Sequence, residues 1–500
     1  MAILHDLLVV FREPLLIVLV AIGTFAGVYV GAIPGLSGTM AVSLLVSFTF
    51  GWQVNHALAV MVGVFVGAVF GGSRSAILLN IPGAPAAVAT SLDGYPLAKK
   101  GLAGEAMGIA TTQSVIGTVL GILALALLAP PISKIALSIR SVDYLMLALM
   151  GLMMVGRLGT KSVKRGVIAG MIGLFLGCVG IDHQTAVKRF TFNIVYLNAG
   201  VDFVVAMIGL FGASEALAQL ADMREKPVKQ RAEKIIPSWA ETRKHLPLTL
   251  RSAVLGVLVG ALPGAGGDIA ALLAYDQAKR SVKNPSAPFG EGAMEGVVAP
   301  ETANNAAIGG AFIPMLTLGI PGDAVTAVLL SAFTIHGLRP GPNLIANTPE
   351  LFWLIVACLT VASVFLLLFG LTGIRLFTKI VEIPKGILLP GILILSVIGA
   401  FAIRNSVYDI VWMFGFGVLG YFLKRFDYPV APVVLGIVLC TLFEDNYRRG
   451  IMLEGSVWGM IAGIFTSPVS IALFALLLFL VVSQSGRYKN WRKSPKKHKA

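Results

Sequence analysis

The sequence has 500 residues, of which 56% are hydrophobic and only 13% are charged, and its mean hydropathy is +0.85. Soluble domains carry about 25% charged residues, so this composition excludes an ordinary soluble enzyme and predicts a chain embedded in the lipid bilayer. Most of the net charge of +14 lies in two polar stretches, residues 224–251 and 487–499. Neither stretch forms a folded basic domain, so no nucleic-acid partner is expected.

Apolar runs recur along the whole chain. A helix needs about 20 residues to cross the bilayer, so the predicted fold class is an all-α polytopic membrane protein with about 12–14 membrane segments. The 56 glycines and 25 prolines favour spans that are broken or form re-entrant hairpins. In chain order, the runs cover residues 15–30, 58–70, 108–129, 144–155, 167–179, 204–220, 254–262, 306–330, 351–371, 386–402, 407–423, 432–442 and 451–482.

Charge placement predicts the orientation of these segments. Lys and Arg accumulate in the central linker, residues 221–251, and in the tail, residues 484–500. The positive-inside rule therefore assigns both to the cytoplasm. The linker separates a first half, residues 1–220, from a second half, residues 252–483. No cleavable signal precedes the first apolar run.

The sequence shows no pattern of enzyme chemistry. Cys178, Cys358 and Cys440 lie far apart in apolar runs, which predicts small core residues and neither a disulfide framework nor a metal cluster. The His-Glu-x-x-His, Gly-x-Ser-x-Gly and Walker patterns are missing from the sequence. No cofactor is expected, and energy must come from an ion gradient or from another subunit. Two alternatives to a transporter stay open: an intramembrane enzyme acting on a lipid-linked substrate, and a channel subunit.

Two stretches of the chain repeat the same motifs in the same order. Gly31-Ala-Ile-Pro-Gly-Leu-Ser-Gly38 and Gly260-Ala-Leu-Pro-Gly-Ala-Gly-Gly267 agree at five of eight positions. The charge bias places the end of the first unit inside and the end of the second outside, which predicts two inverted-topology repeats, a transporter signature. The second pair of motifs is Gly71-Gly72 before Ile81-Pro82-Gly83, and Gly309-Gly310 before Ile320-Pro321-Gly322, with one extra residue in the later copy.

Breaks inside membrane helices predict a binding site. Exposed N–H groups and the positive dipole at a helix amino terminus suit a carboxylate. The predicted structural breaks are Pro34, Gly35, Pro82, Pro263, Gly264 and Pro321. The predicted substrate-binding residues beside them are Ser37, Gly38, Asn80, Gly83, Asn304, Asn305, Thr317 and Gly322.

Acidic residues near the second unit's breaks are candidates for coupling to a cation. Acids inside membrane segments are energetically costly and usually functional, and the candidates are Asp268, Glu301 and Asp323. The alternative is an acid that starts a helix and faces water. A Na⁺ ion would need oxygen ligands, whose identity the sequence leaves open, and a protonatable acid would use H⁺ instead.

The motifs resemble the large membrane subunit of the tripartite tricarboxylate transporters. The first unit contributes Ile77-Leu-Leu-Asn-Ile-Pro-Gly83, and the second contributes Glu295-Gly-Val-Val-Ala-Pro-Glu-Thr-Ala-Asn-Asn-Ala-Ala-Ile-Gly-Gly310 and Ile335-His-Gly-Leu-Arg-Pro-Gly-Pro342. A weaker similarity extends through Arg189-Phe-Thr-Phe192 to Glu444. The resemblance implies a permease in the bacterial inner membrane that works with a small membrane subunit and a periplasmic solute-binding protein.

The same resemblance implies import of di- or tricarboxylates, driven by a Na⁺ or H⁺ gradient. The repeated breaks favour an elevator-like movement of the hairpin units against a scaffold, which would include residues 144–220 and 351–423. Arg74 and Asp323 depart from the family pattern and point away from citrate itself. Arg74 has two interpretations: pairing with a substrate carboxylate, or reaching out to the lipid headgroups.

Overall fold

A computed structural model describes residues 9–33, 36–80, 82–155, 163–182, 185–220, 239–373 and 385–484. These residues are predominantly α-helical, and the strands among them form one antiparallel pair, Gly180–Ile181 with Lys188–Arg189. Within the described ranges, five helices are long and apolar enough to cross a membrane, and a pair bent by 82° counts as a sixth. Six shorter apolar helices accompany them. The chain is therefore an all-α polytopic membrane protein, as predicted.

The first half contains ten helices within its described residues. Beyond α8, the strand pair and a 3₁₀ turn at Val195–Ala199 lead to α9, and a π-helical segment joins α9 to α10. The helices are α1 Val9–Arg12, α2 Pro14–Ala32, α3 Gly38–Phe48, α4 Val54–Leu79, α5 Ala87–Lys99, α6 Ala103–Ala136, α7 Ser141–Val155, α8 Val163–Gly177, α9 Phe203–Met207 and α10 Ser214–Leu220.

The described part of the second half begins inside the linker. Its helices are α11 Trp239–Lys244, α12 Leu246–Gly260, α13 Gly266–Ser281, α14 Glu295–Leu318, α15 Ala324–Ile335, α16 Pro342–Asn347, α17 Pro349–Thr372, α18 Lys385–Arg404, α19 Val407–Arg425, α20 Ala431–Glu454, α21 Val457–Ile464 and α22 Pro468–Gln484. Three predicted runs are corrected. The run 306–330 is split between α14 and α15, the run 432–442 is part of the longer α20, and the run 451–482 is divided between the end of α20 and the bent pair α21–α22.

Glycines let α2 and α4 approach until their backbones touch. A Cβ atom built on Gly27 would lie 2.3 Å from the carbonyl oxygen of Val64, and one on Gly31 would lie 2.3 Å from that of Ala68. A side chain at either position would collide with backbone, which cannot move aside as a flexible side chain can. In membranes, where helices gain little from burying apolar surface against each other, small residues of this kind supply the packing.

The second unit repeats these contacts between α12 and α14. A Cβ atom on Gly256 would lie 2.3 Å from the oxygen of Ala303, and one on Gly260 would lie 2.5 Å from that of Ala307. Each contact matches one in the first unit, with an offset of 229 residues between α2 and α12 and of 239 between α4 and α14. The repeated motifs therefore correspond to a repeated packing arrangement.

The contacts also correct the alignment of the two units. The sequence pattern pairs Gly71 with Gly309, with one residue inserted later. In the structure, Gly71 faces the oxygen of Val28 and Gly310 faces the oxygen of Val257, each at 2.3 to 2.5 Å from a built Cβ atom. Gly309 faces α6 instead. Gly71 therefore corresponds to Gly310, and no insertion separates the helix from its break.

Helices α4 and α14 end in the same way. Their last turns are closed by Asn80 and Gly319, both in the left-handed conformation, with φ of 56° and 71°. Beyond Asn80 the chain turns back, so that the N–H of Gly83 donates to the carbonyl of Gly72 at 3.3 Å. Helix α5 therefore begins beside the middle of α4's last turns rather than beyond its end.

The return segments are held against the first helix of each unit. A Cβ atom on Gly83 would lie 2.2 Å from the oxygen of Gly31, and one on Gly322 would lie 2.6 Å from that of Gly260. Among the predicted break residues, Pro82 follows the end of α4, Pro263 and Gly264 lie between α12 and α13, and Pro321 lies between α14 and α15. Pro34 and Gly35 lie outside the described residues.

The remaining helices surround these two units. Helix α6 packs along α14, while α17 packs against α2, α4 and α6. Helix α20 packs against α7 and α8, and α19 packs against the segment from α9 to α10. Helices α3 and α15 contact each other and also reach this second group, through α18 and α20 respectively. They therefore connect the repeated units to the rest of the chain.

The glycine contacts predict a sharp difference between two alanine variants. Gly31→Ala should destabilise the fold by about 1–3 kcal/mol, because its methyl group must displace the backbone of Ala68. Gly415→Ala is the matched control, since a Cβ atom at Gly415 meets no atom within 4 Å. Thermal unfolding of the detergent-purified variants measures the difference, and equal transition temperatures would contradict the packing argument.

Candidate functional site

The amino-terminal ends of α3, α5, α13 and α15 lie around the place where α4 and α14 meet; we call this region the junction. Asp268, in the first turn of α13, accepts a hydrogen bond through Oδ1 from the N–H of Ala86 at the start of α5, at 3.0 Å. A Cβ atom on Gly266 would lie 2.8 Å from the Cβ of Asp323, which precedes α15. The start of α13 thus contacts the starts of α5 and α15.

Asn304 completes the junction from α14. Its Nδ2 donates to the carbonyl of Val69 on α4 at 3.2 Å, and a Cβ atom on Gly267 would lie 2.2 Å from its Oδ1. The start of α3 is adjacent, because a Cβ atom on Gly38 would lie 2.8 Å from the Cβ of Ala68. Predicted site residues from both repeated units therefore meet at one place.

The four helix starts at the junction differ in how they are capped. Ser37 accepts from the N–H of Met40 at 3.1 Å and caps α3. Asp323 caps α15 in a capping box with Thr326. Helix α5 receives Asp268 from the other unit, whereas α13 has no side-chain cap within the part of the chain that the structure describes. The N–H groups that open α13 are therefore the best placed to receive an external anion.

Two carboxylates share this region. Asp268 is exposed and Asp323 is half-buried, and they lie close enough to interact electrostatically. A helix amino terminus stabilises a nearby negative charge, which accounts for Asp268 at the start of α13 and Asp323 at the start of α15. Asp323 starts α15 as its N-cap, and that role leaves its charge in the junction.

Asn305 and Glu301 lie on another side of α14, facing α6. The side chain of Glu301 accepts from Thr90 and, at 2.9 Å, from Ser114. Asn305 donates to Ser114 at 2.9 Å and to the carbonyl of Glu301 at 3.0 Å. We call these four residues the Glu301 cluster. Glu301 is 1% exposed, and no salt bridge to it occurs among the described residues.

Other predicted site residues lie outside the polar centre of the junction. Thr317 is fully buried and donates to the carbonyl of Ile313 within its own helix. Asn80 is exposed at the end of α4. Gly83 and Gly322 fit the return segments against the preceding helices. Their contacts in the structure are those of packing and capping residues.

Arg74 is buried in α4, at 1% exposure. Its Nη2 donates to the carbonyl of Gly370 on α17, and its guanidinium lies over the ring of Phe70 at 4.9 Å. The interpretation that Arg74 reaches the lipid headgroups is therefore wrong, because neighbouring helices enclose the side chain. Its contacts tie α17 to the first unit.

Asp93, on α5, has a role that the sequence analysis did not assign. Its Oδ1 accepts from the N–H groups of Gly290, Gly292 and Ala293 at 2.8 to 2.9 Å, and its Oδ2 accepts from the hydroxyl of Tyr275 at 2.8 Å. One carboxylate of the first unit thus fastens the segment that leads into α14. The sequence feature that could have indicated this role is the glycine-rich segment just before α14, whose three amide groups donate to Asp93.

A cavity of about 470 Å³ lies where α8, α15 and α20 meet the segment around the strand pair. We call it the Glu444 cavity, after one of its lining residues. Arg189 forms a bidentate ion pair with Glu444, with N···O distances of 2.5 and 3.1 Å. Arg448 bonds to both Glu444 and Asp182. Hydrogen bonding to Glu444 raises the pKa of Arg189, so the guanidinium of Arg189 remains charged. This contact joins two of the weaker motifs, which are 255 residues apart.

The structure also corrects the account of the cysteines. Cys358 is fully buried, as predicted for a core residue. Cys178 and Cys440, expected to lie apart, have their sulfur atoms 3.4 Å from each other. Their separation of 262 positions in the sequence concealed this contact, because helices α8 and α20 pair only in the folded chain.

Comparison with known proteins identifies the family. The model of the tripartite tricarboxylate transporter TctA family matches residues 17–435. The chain belongs to the tripartite tricarboxylate transporter TctA family. Its junction, its repeated units and the Arg189–Glu444 pair are therefore features of a membrane transporter subunit, and the prediction that the chain is not an enzyme agrees with the family.

Two relatives of this TctA-family chain come from Agrobacterium vitis. An uncharacterized 52.8 kDa protein in the TAR-I ttuC' 3' region is 35% identical over 472 residues, covering 94% of this chain and 93% of the relative. An uncharacterized protein in the TAR-II ttuC' 3' region is 40% identical over 227 residues, covering 45% of this chain and 92% of the relative. No solved structure matches the chain. Membership in the family implies that the chain works with other subunits.

The Asp93 contacts predict local loosening when the carboxylate is removed from this TctA-family protein. Asp93→Ala leaves three amides without their acceptor, which costs about 1.5–3 kcal/mol for each bond to a charged group. Hydrogen exchange at Gly290, Gly292 and Ala293 should become at least about tenfold faster. Asp276→Ala is the control, because Asp276 is exposed and pairs with Arg280 one turn along the same helix. Unchanged exchange in Asp93→Ala would contradict the anchoring role.

Proposed function

We propose that this subunit imports di- or tricarboxylates across the bacterial inner membrane, coupled to a Na⁺ or H⁺ gradient. In this proposal the carboxylate binds at the junction, and a periplasmic solute-binding protein and a small membrane subunit complete the system. The single observation that carries the proposal is the meeting of four helix starts, contributed by both repeated units, beside two aspartates.

The junction suits an anion for electrostatic reasons. Each helix amino terminus carries roughly half a positive charge and unpaired N–H groups. Four such ends converge here, and the first turn of α13 offers its donors without a side-chain cap in the described chain. Asn304 adds an amide at the same place. A carboxylate bound there exchanges its hydration for fixed donors.

The two aspartates supply a reason for coupling. A substrate carboxylate entering beside Asp268 and Asp323 meets two like charges, which repel it. A cation bound between the carboxylates, or a proton on one of them, removes that repulsion. Substrate and cation therefore favour each other's binding, which is what cotransport requires.

The Glu301 cluster offers a second place for a proton. A carboxylate buried away from any basic group is costly in its charged form. The hydroxyl donors of Thr90 and Ser114 satisfy it, and each could also accept from a protonated Glu301 after rotating. The coupling ion thus has two candidate locations, the junction for Na⁺ or H⁺ and the Glu301 cluster for H⁺.

An inverted arrangement of the two units fits their mutual contacts. From Asn304 to Phe312 the contact of α14 with α4 moves back from Val69 to Phe65, so the two helices pass in opposite chain directions. Helix α13 of the second unit packs on α5 of the first, and α3 of the first packs on α15 of the second. This exchange is expected for inverted repeats. With the basic linker and tail in the cytoplasm, the strand pair faces outside.

The packing refines the proposed movement. Helix α17, expected from the sequence to belong to the scaffold, packs against α2, α4 and α6, and Arg74 ties it there. We therefore assign α17 to the moving part with the repeated units. The scaffold then consists of α7 to α10 and α18 to α22, and α3 and α15 lie at the boundary between the two parts.

Reconstitution tests the proposed activity. Liposomes containing the permease, the small subunit and the binding protein should take up radiolabelled di- or tricarboxylates saturably, and only with an inward Na⁺ or H⁺ gradient. The same liposomes without the binding protein should show only background uptake. Equal uptake in the absence of a gradient would favour the channel alternative, and a chemically altered substrate would favour the enzyme alternative.

Substitutions at the junction test the roles of its two aspartates and of Asn304 separately. Asp268→Asn and Asp323→Asn keep an acceptor for the helix N–H groups but remove the charge, so the cation concentration for half-maximal uptake should change about tenfold, equivalent to about 1.4 kcal/mol. Asn304→Ala should raise the substrate KM with the cation dependence unchanged. Asp276→Asn, on the exposed face of α13, should leave both quantities at wild-type values. Wild-type kinetics in all three junction variants would remove the assignment.

A further inference from the structure

We propose that Cys178 and Cys440 form a disulfide that fastens the outer end of α8 to α20. Their sulfur atoms lie 3.4 Å apart, and a disulfide needs about 2.05 Å, a difference that small side-chain rotations can close. The two residues are 262 positions apart in the sequence. Their contact therefore exists only in the folded chain.

Glycines bring the two helices close enough for this bond. A Cβ atom on Gly173 would lie 2.0 Å from the carbonyl oxygen of Val433, and one on Gly177 would lie 2.5 Å from the Cβ of Cys440. The backbones therefore touch over two turns that lead up to Cys178. A disulfide requires Cα atoms within about 7 Å, and the close approach of the two helices at Gly177, next to Cys178, favours this geometry.

The neighbouring side chains favour a disulfide over a metal ion. Glu444 lies near both sulfur atoms and would be the third ligand of a metal site. Its two carboxylate oxygens already accept hydrogen bonds from Arg189 and Arg448. Two guanidinium groups beside the thiols would repel a divalent cation, whereas a neutral disulfide carries no charge for them to repel.

The exposure of the two cysteines determines which thiol reacts first with an oxidant. Cys178 is partly exposed and Cys440 is 4% exposed, so an oxidised dithiol oxidoreductase or another disulfide oxidant reaches Cys178 first. The Cys178 thiolate attacks the oxidant's disulfide, forming a mixed disulfide and releasing one thiolate. Cys440 then attacks the sulfur of Cys178, and the second oxidant thiolate leaves. Two protein thiols lose two protons and two electrons, and the oxidant is reduced to two thiols.

The proposal rests on the orientation given under the proposed function, which places this end of α8 outside the cytoplasm. Disulfides persist there, whereas cytoplasmic thiols are kept reduced. The bond would border the Glu444 cavity, whose wall also includes Gly177. It would hold α8 and α20 together within the scaffold while α15, on the opposite wall, stays free to move.

Thiol counting tests the disulfide on the full-length protein. After exposure to oxidised glutathione and denaturation, a maleimide-polyethylene glycol should label one thiol per chain, Cys358, and three after reduction. Cys358→Ser should give none before and two after. Cys178→Ser should give two in both conditions and should lower the apparent Tm by roughly 5 °C. Three reactive thiols in the oxidised wild type, a disulfide between two chains, or zinc bound in equimolar amount would overturn the proposal.

A membrane-impermeant phosphine reductant tests the disulfide and the proposed membrane orientation separately. Added outside intact cells, it should open the disulfide and restore three reactive thiols. If the bond is present but opens only in inside-out vesicles, the orientation in the proposed function is wrong and the disulfide stands. If uptake is gradient-driven but no bond forms, the disulfide is wrong and the transport proposal stands.

Discussion

Backbone contact at glycine is the interaction on which the repeated units depend. Inside a bilayer every backbone N–H and C=O needs a partner, so a helix can break only where protein covers the break. Gly83 and Gly322 press the two return segments against the carbonyls of Gly31 and Gly260, and these glycines in turn lie against α4 and α14. A Cβ atom at any of the four positions would collide with backbone and push the packed segments apart.

With the breaks fixed, electrostatics at the junction follows from geometry. The helices that begin at the junction present their positive ends to one another, which stabilises negative charge there. The chain supplies part of that charge itself, since Asp268 of one unit caps a helix of the other. This cross-connection makes the junction a property of both units together. A movement that separates the units must therefore alter the site.

Reading the sequence identified the breaks and most of the polar groups beside them, but not which groups share a surface. Asn304 and Asn305 are neighbours in the chain and face different partners, Val69 on α4 and Ser114 on α6, because successive residues of a helix point about 100° apart. Glu301 was expected near the breaks. It lies four residues before Asn305, about one helical turn, so the two side chains share a face of α14. The partners of Asp93 lie about 200 residues away in the sequence, so its own neighbours did not indicate its role.

The sequence by itself determined the membrane environment, the helical class, the repeated units and the positions of their breaks, because composition and proline–glycine motifs act locally. Only the tertiary structure decided the register of the two units, the grouping of α17 with them, the Arg189–Glu444 pair and the contact of Cys178 with Cys440. Each of these depends on which helices touch. That choice is made by the fit of many small residues along whole helix faces, and no short segment of the chain contains it.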